Sequence, residues 1–428
     1  MELLLSNCKY LRSDGSVADG GVHIRDGLIA ALGDSGQIRA ALPNGDKVPV
    51  KDMRGALVMP GLVNAHGHTA MTLVRGLGGG LPLKRWLEEA IFPVEAKMTP
   101  ADIAAGVAWG VMEMLAGGTT CVADMYDFPE TGGEVFAAAG MKANICRVGL
   151  NFVPGRLEDC VAFTRKWNAA HDGRVVADVC IHSEYLTDEG FCRELAAATA
   201  DTGRPLHVHV SETEREHLEC IARHGKTPMA FLAGTGLLDR GAYAAHCVHC
   251  TDGDFGIMRE HGVTLVHNPS SNMKLGSGFA RVAAAAAAGV NVALGTDGCA
   301  SNDNLDMFEE MHLAALVHKG LAKDPTALPA REVLAMATRN AALALGRTDT
   351  GAVETGMRAD LCAVDLDNPR LEPAVDYPNL LVYSAHACDV AMTMVDGRVL
   401  YDRGEFATID ADKAKFEFRA ALRRIGLA

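Results

Sequence analysis

No uninterrupted apolar run in these 428 residues is long enough to span a bilayer. The short run 283–288 ends at Gly289 and reads as a helix lying against a core. Met1-Glu-Leu-Leu-Leu-Ser-Asn7 lacks the basic start and apolar centre of a secretory signal, so none is expected. An excess of positive charge is missing too. The formal net charge is -14, whereas a nucleic-acid binder normally presents a basic face. The 12 cysteines form no compact framework, which predicts reduced thiols in a cytoplasmic protein rather than disulfides. No Gly-x-Gly-x-x-Gly follows a first strand, and Gly78-Gly79-Gly80 is not that motif, so a doubly wound nucleotide-binding sheet is disfavoured. What remains is ordinary globular composition, 49% hydrophobic and 22% charged, with enough chain for one large barrel or two domains.

Both ends of the chain carry short alternating runs broken by turns. Leu3–Leu5, Gly21–Arg25 and Leu28–Leu32 read as strands, with Arg25-Asp26-Gly27 as a hairpin turn. Residues 359–365 and 390–401 have the same character, and Asp396-Gly397 marks another hairpin. The expectation is one small β-sandwich domain made from residues 1–58 and 352–410. Residues 411–428 read as a closing helix.

Between 59 and 351 the pattern alternates strands with helices. The strand candidates are 58–66, 119–124, 142–149, 175–182, 205–210, 243–248, 263–267 and 290–297. Eight strands alternating with helices predict an α/β fold, a (β/α)8 TIM-type barrel. Such barrels place their chemistry at the C-terminal ends of the strands. Here those ends carry His66 and His68, His182, His209 with Glu212, His246, His267 with Asn268, and Asp297. Residues i and i+2 leave a strand on one face, so His66 and His68 converge on one spot. Two imidazoles there suit a borderline metal such as zinc. A single buried histidine is readily a satisfied core residue. The repetition of metal-competent side chains at one level of the barrel is not explained that way.

His66-x-His68, His209, His246 and Asp297 within Gly295-Thr-Asp-Gly298 resemble the metal-dependent amidohydrolase superfamily. More narrowly, the chain resembles the 5-methylthioadenosine/S-adenosylhomocysteine deaminases. The segments that carry this are Pro60-Gly-Leu-Val-Asn-Ala-His66, Met71-Thr-Leu-Val-Arg-Gly76, Trp86-Leu-Glu-Glu89, Pro93-Val-Glu95, Ala245-His-Cys-Val-His249, His267-Asn-Pro-Ser-Ser-Asn-Met-Lys-Leu275 and Leu294-Gly-Thr-Asp-Gly-Cys-Ala-Ser-Asn302. The resemblance implies a hydrolytic deaminase that converts 5′-substituted adenosines to inosine derivatives and ammonia. It implies one divalent metal ion, zinc with iron as the alternative, held by His66, His68, His209 and Asp297. No strand end offers the lysine that would mark the two-metal branch. His207 shares a face with His209 but lies deeper, in the core or behind the ligands.

By the same resemblance, Glu212 would protonate the purine N1, Asp297 would take the water's proton, and His246 would help pass it to the leaving ammonia. Glu214 and Glu216 read as ordinary acids at a helix start. Glu95 would accept from the ribose hydroxyls and His182 would contact the purine. Arg147 or Arg156 would hold the far end of a 5′ substituent, and Trp86 would line the pocket. A tryptophan packed within its helix is the equal alternative for Trp86. Gly67 stands where a threonine is usual in the family, and Gly78–Gly80 replace a more polar loop, which leaves the 5′ specificity open. His182-Ser-Glu184 and Cys247-Val-His-Cys250 echo cytidine-deaminase zinc motifs. They fall on separate strands, and Cys247 is expected to face the helices. The expected partner is a small purine nucleoside, with no nucleic acid and no membrane; a homo-oligomer is left open. The alternatives are the same machinery acting on 5′-deoxyadenosine, guanine or a triazine, and a non-catalytic assembly protein.

Overall fold

Eight parallel strand positions curl into one sheet at the centre of the computed structural model. It describes every residue except Asn44 and Ala169, and of Asp46 the backbone alone. The strands are β1 (Leu62–His68), β2 (Thr119–Asp124), β3 (Lys142–Cys146), β4 (Val175–Cys180), β5 (Leu206–Val210), β6 (Ala242–His246) and β7 (Val263–His267), and β8 comes in two pieces, Val292–Leu294 and Asp297–Gly298. Each of β1 to β6 pairs in parallel with the next. The first piece of β8 pairs with β7, Leu265 opposite Val292. The second pairs with β1, Asp297 opposite Gly67. The break in β8 therefore closes the barrel and brings Asp297 beside the paired histidines.

Gly295 makes that closure possible. A Cβ on it would lie 2.7 Å from the backbone nitrogen of His66 and 2.8 Å from its carbonyl oxygen. Helices such as Pro129–Ala139, Glu214–His224 and Asp252–His261 follow the strands. Thr213 and Thr251 start the last two by accepting backbone N–H bonds. Val282–Ala287 is helical, as its alanine run predicts.

The two chain ends meet in a second sheet. Leu57–Pro60 pairs antiparallel with Leu361–Val364, joining the N-terminal strands Glu2–Leu11, Val17–Arg25 and Leu28–Gly33 to Val390–Val395 and Arg398–Asp402. Its tight hairpins at Asp26-Gly27 and Asp396-Gly397, like that at Arg403-Gly404, have positive φ at both turn residues, as the right-handed strand twist requires. Val22, Ile24, Val58, Leu361 and Met392 form an apolar cluster on this sheet. The apolar run expected as one strand from 58 to 66 divides at Gly61. The half before it belongs to the end sheet and the half after it to the barrel. A Cβ on Gly61 would meet the Thr120 side chain at 2.2 Å, so the chain passes between the sheets there with no room for a side chain.

The sheets are also tied by a buried ion pair. Lys142, opening β3, reaches Asp360 at 2.5 Å and Asp396 at 2.9 Å. The C-terminal helix Ala411–Ile425 packs on Pro100–Ala116, with Arg424 bonded to Asp102 and Phe418 stacked on Trp109. All 12 cysteines are free thiols, and Cys247 lies in the apolar cluster around the barrel rather than in its mouth. No helix among the described residues is long and apolar enough to cross a membrane.

Candidate active site

Four histidines from three strands converge at the C-terminal end of the barrel. The ligand atoms of His66, His68 and His209 lie within 4.8 Å of one another, and so do those of His66, His246 and Asp297. Asp297 Oδ1 stands 3.4 Å from His66 Nε2 and 3.2 Å from His68 Nε2.

Each imidazole is oriented from behind through its other nitrogen. His66 Nδ1 pairs with His207 Nε2 at 2.8 Å. His68 Nδ1 meets the carbonyl of Met125. His209 Nδ1 meets the carbonyl of His182 at 2.9 Å, and His246 Nδ1 meets Asn272 Oδ1 at 2.9 Å. A carbonyl can only accept, so His68 and His209 carry a proton on Nδ1 and turn Nε2 towards the centre. Asp297 is oriented in the same manner. Ser271 and Ser301 donate to its Oδ2 at 2.6 and 2.9 Å, and the Gly298 N–H donates to Oδ1 at 2.8 Å, which turns Oδ1 towards the imidazoles.

The protonation states follow from this packing. Burial pushes His66 down to about 4 and holds His209 well below its ordinary value. Both are thus neutral, as ligands must be. Burial opposes charge on Asp297, yet the His66 and His68 imidazoles facing it hold it well below its ordinary value. Burial also opposes charge on His68, but Asp297 raises it to about 9. The carboxylate thus demands positive charge at this spot, which a cation supplies as well as a proton does. The neutral His66 and His209, an ionised carboxylate and the buried His66 Nε2, which has no hydrogen-bond partner, fit one divalent ion of the zinc type.

Glu212 lies just past β5, with Oε2 3.9 Å from His246 Nε2, and burial raises its carboxyl. The His182 ring lies tilted against that of His209 with ring centres 4.4 Å apart, and burial keeps it neutral, down at about 3. Tyr185 stands beside it, 42% exposed. On the opposite side Tyr126 bonds Glu95 and approaches the His68 ring. These side chains are brought together. Three others are engaged elsewhere. Arg147 closes on Glu130 and Asp159 and lies over the Phe163 ring. Arg156 donates to the carbonyl of Val148. Trp86 is buried, donating to the carbonyl of Leu77 at 3.0 Å, with its ring against Gly78.

Sequence reasoning passed over Ser271, Asn272 and Ser301, which sit inside segments quoted for the family resemblance. It also passed over Glu216. Read as a helix-start acid, Glu216 is in fact buried and bonded to the backbone of residues 211 and 212. Its only signal was the pattern Thr213-x-x-Glu216, which by itself marks a helix start. The carbonyl of Met125 had no signal at all. Positive φ at Ser211 (48°), His246 (71°), Cys247 (50°) and Asp297 (61°) was equally hidden. Such backbone is costly for residues with a Cβ and clusters where function requires it.

A family model described as the amidohydrolase family matches residues 57–400. A 5-methylthioadenosine/S-adenosylhomocysteine deaminase of Acetivibrio thermocellus is 41% identical over 99% of this chain and 100% of its own. A 5′-deoxyadenosine deaminase of Methanosarcina mazei is 42% identical over 99% of this chain and 98% of its own. The crystal structure of an adenosine deaminase from Xanthomonas campestris with bound zinc superposes with a TM-score of 0.94 at 32% identity, covering 100% of this chain and 99% of that one. The likeness runs end to end and includes the strand ends that build the centre: the chain belongs to the amidohydrolase family.

Proposed function

We propose that this hydrolase of C–N bonds deaminates 5′-substituted adenosines, among them 5-methylthioadenosine, S-adenosylhomocysteine and adenosine, to the inosine derivatives and ammonia. The observation that carries the reading is the set of imidazoles around Asp297, each oriented through Nδ1, with the buried acid Glu212 beside them. The names of the full-length relatives support the substrate class.

His66, His68, His209 and Asp297 would hold the metal. When bound, the metal lowers the pKa of a water from about 15.7 towards about 7. Asp297 would take a water's proton on Oδ1, which faces His66 and His68 and accepts only the Gly298 N–H, whereas Oδ2 already accepts from two serine hydroxyls. Glu212, whose carboxyl burial shifts towards the protonated form, donates to the ring nitrogen next to the amino group. His246, turned by Asn272, presents Nε2 and passes a proton to the departing ammonia. Glu95, with Tyr126 at its side, accepts from the ribose hydroxyls, and His182 contacts the base.

A second reading narrows the substrate to uncharged 5′ groups such as 5′-deoxy. Arg147 supports it, because a substrate carboxylate would have to displace Glu130 and Asp159 from that guanidinium.

The test is a kinetic screen of ammonia release by the metal-loaded protein on 5-methylthioadenosine, S-adenosylhomocysteine, 5′-deoxyadenosine, adenosine and guanine. Activity on guanine with none on any adenosine would refute the proposal. A kcat/KM for 5′-deoxyadenosine well above that for S-adenosylhomocysteine selects the narrower reading. Glu212→Gln should retain the metal and lose about 10²–10⁴ in kcat, the usual range for a positioned proton donor.

A further inference from the structure

The turn after β5 carries Glu212, and its backbone is under strain. Ser211 sits at φ 48°, a left-handed conformation that residues with a Cβ rarely adopt. Something must hold it there. The helix that follows, Glu214–His224, is capped by Thr213, whose hydroxyl accepts from the Glu216 N–H at 3.2 Å. In an ordinary capping box the glutamate at this position would reach back to the N–H of Thr213. Glu216 does not. Its Oε1 accepts from the N–H of Ser211 and its Oε2 from that of Glu212, both at 2.9 Å. Its side chain is buried, at 7% exposure. The next residue adds a second hold, with His217 Nδ1 3.0 Å from Ser211 Oγ. The carbonyl of Ser211 accepts from the N–H of His249 in the loop after β6, which ties the turn to the strand end that bears His246.

We propose that Glu216 is a positioning residue for Glu212: its two oxygens clamp the backbone N–H groups of Ser211 and Glu212, hold the strained turn, and so aim the Glu212 carboxyl at the substrate. The inference rests on the role given to Glu212 above. Burial and the neighbouring Glu212 carboxyl push Glu216 up, while the two N–H groups pull it back towards the carboxylate that the clamp uses. The clamp needs acceptor oxygens on both N–H groups. Glutamine supplies one oxygen and turns an amide N–H₂ against the other donor. A misplacement of about 1 Å is enough to cost about 100-fold in rate.

The experiment uses the full-length, metal-loaded protein and whichever adenosine derivative it turns over best. Glu216→Gln is expected to lower kcat about 10- to 100-fold, with KM and zinc content within about twofold of the parent. Glu214→Gln, on the exposed side of the same turn, should match the parent. The double variant Glu212→Gln/Glu216→Gln should be no slower than Glu212→Gln alone, because Glu216 acts through Glu212. If Glu216→Gln does not fold, Glu216→Asp keeps the charge but reaches only one N–H, and should lose about 10-fold in kcat at unchanged KM. Parent-like kcat in the position-216 variant, or a full further loss in the double variant, overturns the inference. If Glu212→Gln is nearly inactive while Glu216→Gln is parent-like, only the inference fails. If Glu212→Gln itself turns over like the parent, the functional reading falls and takes the inference with it.

Discussion

Replacing His207 with leucine should loosen the metal without touching a ligand. His207 and His66 are both fully buried, and their Nε2 and Nδ1 atoms are 2.8 Å apart. Burial keeps His207 well below its ordinary pKa, so it is neutral and can accept the proton that His66 carries on Nδ1. That bond fixes which nitrogen of His66 faces the centre and makes the ring a better ligand. Leucine leaves a buried N–H without a partner, at a cost of about 1–3 kcal/mol. At about 1.4 kcal/mol per tenfold, this corresponds to about 5- to 150-fold weaker metal binding, in line with the effect of removing such supporting partners. The loss of the tilted ring contact with Tyr243, whose centre lies 4.4 Å away, adds to the cost of folding and not to that of metal binding.

Zinc competition against a chelator of known affinity measures the first quantity. Thermal melting of the metal-free protein measures the second. His207→Gln, which can still offer an acceptor oxygen, should fall between the parent and the leucine variant. Zinc affinity within about twofold of the parent in His207→Leu would refute the reasoning, since the bond to His66 would then contribute nothing to the ligand.

Glu95→Ala should reduce kcat/KM for nucleosides far more than for the free base adenine; an equal loss on both would remove Glu95 from the sugar site. Gly295→Ala should lower Tm and zinc content together, because its methyl would meet the His66 backbone at 2.7 Å, and overpacking of this kind costs about 1–3 kcal/mol; unchanged melting and zinc content would contradict the closure described for β8. Glu310 is buried, accepts from Asn302 and the Ser270 N–H, and is pushed by burial up to about 8 from an ordinary 4.5. Its folded pKa is raised, so its contribution to stability is complete below about 4.5 and is lost as pH rises to about 8. Urea midpoints from about pH 5 to about pH 9 should therefore slope downward more steeply for the parent than for Glu310→Gln, and parallel curves would show that Glu310 ionises normally.

The barrel was legible because its strands are short apolar runs at regular intervals, and burial on both faces leaves no other composition for them. The metal-competent residues were legible for a related reason. Two-residue periodicity puts His66 and His68 on one face, and a barrel gathers its strand ends at one mouth. The resemblance added Glu212 and His246 at their matching positions. Less legible was the passage from end sheet to barrel. Leu57–Pro60 runs into the equally apolar Leu62-Val63, and the Thr120 contact at Gly61 marks the division.

The amino-acid sequence alone determined the set of groups near the centre: which strands end in histidine, and that an aspartate follows the eighth. Those follow from local periodicity. It did not determine how the groups are oriented. The partners of their outer faces come from other strands and loops: His207 behind His66, the Met125 carbonyl behind His68, Asn272 behind His246 and two serines behind Asp297. Nor did it distinguish Glu216 from Glu214, two acids in one helical turn, of which one is buried and grips the backbone and the other meets water. A hydrogen bond between residues distant in sequence has no local signature. Only when the barrel closes through the broken eighth strand do the two atoms of each pair meet, and there the choice of nitrogen, oxygen and proton is made.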